Sequence, residues 1–171
     1  MLQIGLISDT HSYLGDDVIK HVQECDEIWH AGDIGDMATA DAIEAIGPPV
    51  RMVWGNIDNL ELKERYERDL IWDANGLKVF MTHIGGYPGR YYKRVLKTIK
   101  KEEPGLYICG HSHILKVMRD KDLDVLHMNP GACGIQGFHK FRTLIKFGIE
   151  DDGKIVDARV IELGQRGVAP K

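Results

Sequence analysis

Histidines and acids of the kind that bind metal ions occur in five short clusters between Asp9 and His113. The clusters are Asp9-Thr10-His11, Gly32-Asp33, Gly55-Asn56-Ile57-Asp58, Thr82-His83 and Gly110-His111-Ser112-His113. Carboxylate oxygens combined with imidazole nitrogens suit Mn²⁺, Fe²⁺, Zn²⁺, Co²⁺ or Ni²⁺ better than Ca²⁺, which prefers oxygen ligands throughout. These ligands are too many for one ion and about enough for two ions that share a bridging ligand. None of the five clusters contains a cysteine, which disfavours a structural zinc site.

Each cluster alone is a weak signal. A lone Asp-x-His, Gly-Asp or Gly-Asn is common in the turns that follow strands. The Gly-His-Ser-His sequence is more specific, because two histidines at this spacing after a strand are rarely needed for packing. Taken together and in order, the five clusters favour a functional site over a series of ordinary turns.

Every cluster follows a segment that the apolar pattern predicts to be a β-strand. These strands cover residues 2–8, 27–31, 50–54, 77–82 and 106–109. The first three alternate with predicted helices, which indicates a βαβαβ unit and a parallel sheet. Carboxyl ends of parallel strands gather at one edge, where ligands bind, so we expect the clusters to converge. Glycines beside three of the clusters permit tight turns and close backbone approach.

The second half of the sequence predicts antiparallel hairpins. Asn75-Gly76 is a strong hairpin turn, and strand pairs are also expected at 115–118 with 124–128 and at 143–149 with 155–163. A helix is expected between Tyr91 and Pro104. The prediction is an α+β fold of two packed mixed sheets flanked by helices, an αββα sandwich, with a single Rossmann-like sheet as the alternative. We expect one domain over residues 1–171, with a flexible tail over 164–171.

Composition and charge exclude several classes of protein. Hydrophobic residues make up 43% and charged residues 28% of the chain, as in ordinary soluble domains. We expect a cytoplasmic protein without membrane contact, because neither a signal peptide nor a long apolar run is present. A net charge of −4 is inconsistent with a broad nucleic-acid surface. Cys25, Cys109 and Cys133 are expected to be buried and reduced.

The order of these motifs resembles that of the calcineurin-like metallophosphoesterases. The subset that the sequence most resembles is the small single-domain bacterial and archaeal phosphodiesterases, and Asn129-Pro130-Gly131 is similar to a turn of that subset. The similarity extends from Ile4 to about Ile149. It implies the metallophosphoesterase fold, a phosphate-ester substrate and two divalent metal ions. Mn²⁺ is the expected metal, and Ni²⁺, Zn²⁺, Fe²⁺, Co²⁺ and Mg²⁺ are alternatives.

The resemblance also implies roles for individual residues. It places Asp9, His11, Asp33 and His113 on one metal and Asp33, Asn56, His83 and His111 on the other, with Asp33 as the bridge. A water or hydroxide held by both metals would attack phosphorus. Asp33, Asn56 and His83 are therefore also expected to be catalytic. Asp58 is expected among them as a residue that orients ligands or neighbouring backbone, with an ordinary turn aspartate as the alternative.

Residue 57 departs from the pattern of the wider superfamily. Many members have a histidine there, thought to help protonate the leaving group, whereas Ile57 cannot transfer a proton; the small phosphodiesterases commonly lack it too. His139 is a candidate replacement for this acid. Arg90 lies in the glycine-rich segment 84–92 and is a candidate phosphate ligand. Both are expected to bind substrate, with roles in packing or in a surface loop as alternatives.

Two other functions remain possible at this point. The retromer subunit that resembles these enzymes shows that the fold can serve as a non-catalytic protein-binding scaffold. A binuclear hydrolase of another bond, such as an amide, is the second alternative. Exposed hairpin edges could pair between chains, so we expect a homodimer or a small homo-oligomer.

Overall fold

The computed structural model describes residues 1–167 of the protein. It contains two β-sheets with helices outside them. Its elements are β1 (Leu2–Ile7), α1 (Asp16–Val22), β2 (Glu27–His30), α2 (Met37–Glu44), β3 (Val50–Met52), α3 (Leu60–Arg65), β4 (Asp69–Ala74), β5 (Leu77–Thr82), α4 (Lys93–Glu102), β6 (Leu106–Ile108), β7 (Lys116–Asp120), β8 (Val125–Asn129), β9 (Phe141–Ile149) and β10 (Ile155–Gln165).

Each sheet has five strands and mixes parallel with antiparallel pairs. The first sheet has the order β10-β9-β1-β2-β3, in which β1, β2 and β3 run parallel. The second has the order β4-β5-β6-β8-β7, in which β5, β6 and β8 run parallel. The prediction of two mixed sheets is therefore confirmed, and the alternative of a single Rossmann-like sheet is wrong.

The main hydrophobic core lies between the two sheets. Successive side chains of a strand point to opposite faces, so Leu6 packs into this core while Ile7 packs against the helices outside the first sheet. Trp29 and Trp72 meet edge to face at the centre, with ring centroids 4.8 Å apart. The helix α4 covers the outer face of the second sheet, where Val95 belongs to a separate apolar cluster. The layers are those of an αββα sandwich.

The structure differs from the sequence prediction at two places. The short helix α3 was not predicted, because Leu62 is its one buried residue and no apolar period results; its N-cap Asn59, which accepts a hydrogen bond from the Leu62 amide, was the available signal. The strand β10 runs beyond its predicted end to Gln165, because β9 supplies backbone partners for Gly164 and Gln165, while the flexibility of the tail stays a prediction. Residues 168–171 of that tail lie outside the described residues.

Three features of the described chain bear on the remaining expectations. Cys25, Cys109 and Cys133 are free and buried, as predicted. Three of the four sheet edges, formed by β10, β4 and β7, come from the hairpins of the second half, while the oligomeric state stays a prediction. Within residues 1–167, no helix is long and apolar enough to cross a membrane.

Candidate metal centre

The loops that follow five strands converge at one end of the sandwich. The amide of Asp9, after β1, donates to the carbonyl of Gly32, after β2, at 3.0 Å. The amide of Gly110, after β6, donates to the carbonyl of His83, after β5, also at 3.0 Å. The amide of His111, after β6, donates to Oδ2 of Asp9, after β1, at 3.2 Å, so the two sheets contribute to one site. Residues far apart in sequence are neighbours there, as the positions of the clusters after the strands predicted.

Six of the seven predicted ligands form two groups. Asp9, His11 and His113 make up group 1, and Asp33, His83 and His111 make up group 2; within each group the possible ligand atoms lie within 4.8 Å of one another. The Asp33 carboxylate stands between the groups. Its Oδ2 atom is 3.2 Å from His83 Nε2 and 3.5 Å from His11 Nε2. This position is the one that a bridging ligand requires.

Asp9 is a buried carboxylate with one oxygen free. Its Oδ2 accepts hydrogen bonds from Ser8 Oγ at 2.6 Å and from the His111 amide at 3.2 Å. Its Oδ1 is buried and has no hydrogen-bond partner within residues 1–167. Burial raises the pKa of Asp9, but His11 and His113 more than offset it, so the pKa lies well below its usual range. The charged Oδ1 atom therefore faces the two histidines of group 1, His11 and His113.

His83 is held in one orientation by the backbone. Its Nδ1 lies 2.7 Å from the carbonyl oxygen of Ala31, which can only accept, so Nδ1 carries the hydrogen. Its Nε2 is buried, faces Asp33 Oδ2 and has no hydrogen-bond partner in the described chain. Burial lowers the pKa of His83, but the carboxylates of Asp33 and Asp9 outweigh burial and raise it. The carboxylates thus favour a positive charge at this atom, which a metal ion would supply.

His113 is held by a second histidine instead. Its Nδ1 is 3.1 Å from Nδ1 of His139, whose Nε2 is 3.1 Å from the carbonyl oxygen of Gly134. Because the carbonyl accepts, neutral His139 carries its hydrogen on Nε2, and its Nδ1 accepts from His113. His113 Nε2 then turns its lone pair toward the other members of group 1, and this atom lies 3.1 Å from Asp9 Oδ1 and 3.2 Å from His11 Nε2.

These contacts fit metal ions better than they fit hydrogen bonds alone. Two ligand atoms at right angles, each about 2.0–2.2 Å from a metal, lie about 3 Å apart. The separations are 3.1 Å between His113 Nε2 and Asp9 Oδ1, and 3.2 Å between His83 Nε2 and Asp33 Oδ2. Each pair sets a carboxylate oxygen against an imidazole nitrogen, and a cation between the two atoms would be attracted to both. The residues present therefore fit a pair of divalent ions.

The backbone at these ligands adopts a conformation that side chains usually avoid. Ten non-glycine residues among the described ones have a positive φ, and five of them are predicted ligands. These five are Asp9 (56°), His11 (48°), Asp33 (56°), His111 (67°) and His113 (57°). Such residues cost about 1–3 kcal/mol each and cluster at functional sites. The rest of the fold must therefore hold the loops in place.

Two glycines allow the loops to approach each other closely. A Cβ atom on Gly55 would lie 2.1 Å from Asp33 Oδ1, and one on Gly110 would lie 2.1 Å from Ser8 Oγ and 2.8 Å from Asp9 Oδ2. Both contacts are far shorter than real side chains permit. The predicted role of glycines beside the clusters is thus supported at these positions, where any other residue would displace a candidate ligand.

Asp58, predicted among the catalytic residues, positions the loops in this structure. Its buried carboxylate accepts hydrogen bonds from the amides of Ile34 at 3.2 Å, Gly35 at 2.8 Å and Gly55 at 2.7 Å. It therefore fastens the loop after β2 to the loop after β3. This arrangement supports the expected orienting role and gives Asp58 no direct place in group 1 or group 2.

A second buried network supports the same loops. His30 accepts a hydrogen bond from the Gly32 amide at Nδ1 (3.1 Å), and its Nε2 lies 2.9 Å from Thr10 Oγ1. The Thr10 hydroxyl in turn donates to the carbonyl of Ile34 at 2.9 Å. Burial lowers the pKa of His30 to about 4, so this histidine is neutral. It acts as a fixed support for the loops.

The remaining predicted residues surround the two groups. Asn56 is exposed in the loop after β3 and lines a small cavity with His83, Arg68 and Arg94; its role as a ligand stays a prediction. The two arginines were missed, because no motif marks them. Arg90 is exposed and lines a larger cavity that also includes His111, as a substrate-binding residue would.

His139 does not face the open side of the site. Its side chain is largely buried, and both ring nitrogens are engaged, one with His113 and one with Gly134. This placement disfavours the predicted contact with substrate and the predicted role as replacement acid. It gives His139 a role behind a candidate ligand.

Comparison with known proteins shows the family and the fold. The family model for the calcineurin-like phosphoesterase superfamily domain matches residues 2–152. Vps29 of Chaetomium thermophilum superposes with a TM-score of 0.73 and 14% identity, covering 96% of this chain and 100% of its own. Vps29 of Entamoeba histolytica, complexed with Zn²⁺, gives 0.69 and 15%, covering 95% and 100%. A novel archaeal phosphodiesterase gives 0.72 and 23%, covering 94% and 99%.

These structural likenesses show the fold alone, because the identities are low. A search of curated protein sequences gives no significant match. The family model covers most of the chain and includes all seven predicted ligands, which the structure distributes over converging strand ends. The chain belongs to the calcineurin-like phosphoesterase superfamily.

Proposed function

We propose that this protein is a binuclear, metal-dependent phosphodiesterase that hydrolyses a phosphate ester. The observation that carries the proposal is the position of Asp33 Oδ2, within 3.5 Å of candidate ligands of both groups. The family model is that of the calcineurin-like phosphoesterases, and a structural neighbour is described as an archaeal phosphodiesterase, which supports the choice of bond. We propose Mn²⁺ as the metal; the same donors suit Ni²⁺, Zn²⁺, Fe²⁺ and Co²⁺, and Mg²⁺ is a further alternative.

The residues of the chain divide the work of such a reaction. Groups 1 and 2, with Asn56 completing group 2, would hold two ions, which supply Lewis-acid activation of the phosphate and of a water molecule. The Ile57 amide donates a hydrogen bond to Asp33 Oδ1 at 3.1 Å. This bond holds the Asp33 carboxylate in its position between the two groups. Arg90 carries positive charge at the open side, where it can attract and orient an anionic phosphate.

The leaving group determines which esters react well. The Ile57 side chain is 44% exposed and holds no transferable proton. His139, the other candidate donor, has both ring nitrogens engaged. The departing oxygen would therefore leave as an anion or draw its proton from metal-polarised water, and an aryl oxide tolerates the charge far better than an alkoxide. We propose activated aryl diesters as good substrates, alkyl esters as slower ones and monoesters as the slowest.

The scaffold alternative is favoured by one observation, the likeness of the fold to Vps29 proteins. One of these is described as complexed with Zn²⁺, so metal binding alone does not separate enzyme from scaffold. Against the scaffold, all seven predicted ligand positions keep a side chain able to coordinate metal. Activity, measured beside metal content, decides between the two.

The test combines elemental analysis with a substrate screen. Protein saturated with Mn²⁺ should contain two ions per chain, and bis(p-nitrophenyl) phosphate should be hydrolysed. The screen also includes cyclic nucleotides, mononucleotides and an aryl amide, each with Mn²⁺, Ni²⁺, Zn²⁺ and Mg²⁺ separately. Two ions without hydrolysis of any ester would favour the scaffold. Cleavage of the amide alone would favour the other hydrolase, and one ion or none would refute the binuclear site.

A further inference from the structure

We propose that the cavity beside His111 binds a planar heteroaromatic ring, such as a nucleobase, carried by one ester group of the substrate. The proposal rests on the phosphodiesterase function for its link to catalysis. The binding of the ring itself depends only on the cavity.

The cavity adjoins the candidate metal centre directly. It has a volume of about 360 Å³ and lies between the segment 84–92 and the outer face of the second sheet. His111 belongs both to its wall and to group 2, so a phosphate at the metals would have one ester group at the cavity entrance. Pockets for drug-sized ligands begin at about 300 Å³, so the space suits a group much larger than a phosphate.

The upper walls suit a flat, largely apolar ring. Tyr87 and Tyr92 line the cavity together with Ile84 and Ile114. Aromatic side chains attract other rings by stacking or edge-to-face contact, and bases stack on them with little dependence on sequence. Tyr92 is 57% exposed, so much of its ring is open to a ligand. The wall therefore favours an aromatic ester group over a flexible alkyl one.

The floor contains a polar atom without a well-formed hydrogen bond. His127 lines the cavity, is 1% exposed and stacks on Tyr107, with ring centroids 5.1 Å apart. Its Nδ1 makes no well-formed hydrogen bond within residues 1–167, and the backbone of Tyr107 offers the ring only a weak one, which raises the pKa of His127 less than burial lowers it. Such buried polar atoms are costly and call for an explanation. A heteroaromatic ring with a donor or acceptor on its edge would satisfy this atom, whereas a hydrocarbon ring would not.

Positive charge at the cavity wall favours an anionic ligand overall. Lys116 Nζ lies 3.7 Å from the centroid of the Tyr87 ring, and Arg90 lines the same wall. His127 adds no charge, because burial lowers its pKa to about 4. A neutral ring within the cavity and a phosphate near the cations match this distribution, and a nucleotide ester has both parts.

The first test uses adenosine, which has no phosphate and so reports on the cavity without the metals. Titration into ¹⁵N-labelled protein should shift the amide signals of Gly85, Gly86 and Ser112, which line the cavity, while methyl riboside should not. His127→Phe keeps a stacked ring without nitrogens and should weaken adenosine binding about tenfold, the value of one hydrogen bond of 1.4 kcal/mol. Tyr92→Ala, at an exposed position, should also weaken it; His21→Phe on α1 is the matched control.

The second test uses Mn²⁺-loaded protein and calorimetry with 5′-AMP and methyl phosphate. AMP should bind at least about tenfold more tightly, and His127→Phe should reduce this ratio. Equal affinities, or no adenosine shift at the cavity, would overturn the proposal even if diesters are hydrolysed. Cavity shifts with adenosine in a protein that hydrolyses no diester would support ring binding and refute the proposed function.

Discussion

The two ligand groups hold a critical histidine by different means. In group 2, the hydrogen-bond partner of His83 is the carbonyl of Ala31, a backbone atom at the end of β2. In group 1, the partner of His113 is the side chain of His139, in a loop far along the chain. A carbonyl in a hydrogen-bonded strand end cannot be removed by substitution, whereas a histidine can. Group 2 is therefore built into the sheet, and group 1 depends on a separate loop.

The groups also differ in what lies beyond them. His113 is backed by His139 and the loop that carries it, so group 1 is closed on that side. His111 is exposed and opens onto the large cavity lined by Arg90 and His127. A second histidine therefore stands behind group 1, whereas group 2 has space for substrate beside it.

The largest effect should follow from replacing the residue that the two groups share. Asp33→Asn removes the bridging charge, so the variant should lose both ions and diester hydrolysis. Elemental analysis after Mn²⁺ saturation checks this, with Asp122→Asn, an exposed aspartate in the turn after β7, as the control. Two ions bound as in the native protein would show that Asp33 does not bridge.

A smaller effect, confined to one group, should follow from removing the support of His113. His139→Phe leaves the imidazole of His113 free to present the wrong nitrogen, and loss of such partners typically weakens metal affinity about 10–100-fold. Titration calorimetry with Mn²⁺ should show one site weakened and the other unchanged. His139→Gln, whose amide oxygen can accept the same hydrogen bond, should recover part of the affinity. Equal weakening of both sites would contradict the separation of the groups.

Residue 57 should change rates without changing metal content. Ile57→His places an acid near the open side, and a well-placed acid is worth roughly 10²–10⁴-fold, so we expect at least about tenfold faster turnover of alkyl diesters and little change for aryl diesters. Ile57→Gln controls for polarity. The measurement is log rate against leaving-group pKa for all three proteins. A flat plot for the native enzyme would mean that another group already donates the proton.

The smallest effect should come from His127, which belongs to neither group, and it concerns the stability of the fold. Burial lowers its pKa from 6.5 to about 4 in the folded state. Between pH 6.5 and about pH 4 the unfolded chain therefore binds a proton at His127 that the folded chain does not bind. The free energy of unfolding should fall by roughly 2–3 kcal/mol from this residue as the pH drops from 7.5 to 4.5. Urea titrations of metal-free protein should show a shallower fall for His127→Phe. An identical fall would mean that His127 is protonated when folded.

Much of the fold was accessible from local pattern. Strands such as β1 and β5 are short apolar runs that stop at polar residues, and Asn75-Gly76 fixes a hairpin by turn geometry alone. The helix α3 escaped prediction because it buries one residue, so no apolar period marks it. The strand β10 extends past its predicted end because β9 supplies hydrogen-bond partners that are not visible from the residues of β10.

The sequence by itself determined the kinds of ligand atom, the order of the clusters and the glycines that let them meet, since these follow from residue type beside a strand end. Only the tertiary structure decided which nitrogen of His83 and His113 faces the centre, because each depends on a partner distant in the chain. It also decided that His139, predicted to contact substrate, lies behind His113, and that His127 lines a cavity. Protonation, tautomer and access are properties of contacts between segments, and no single segment carries them.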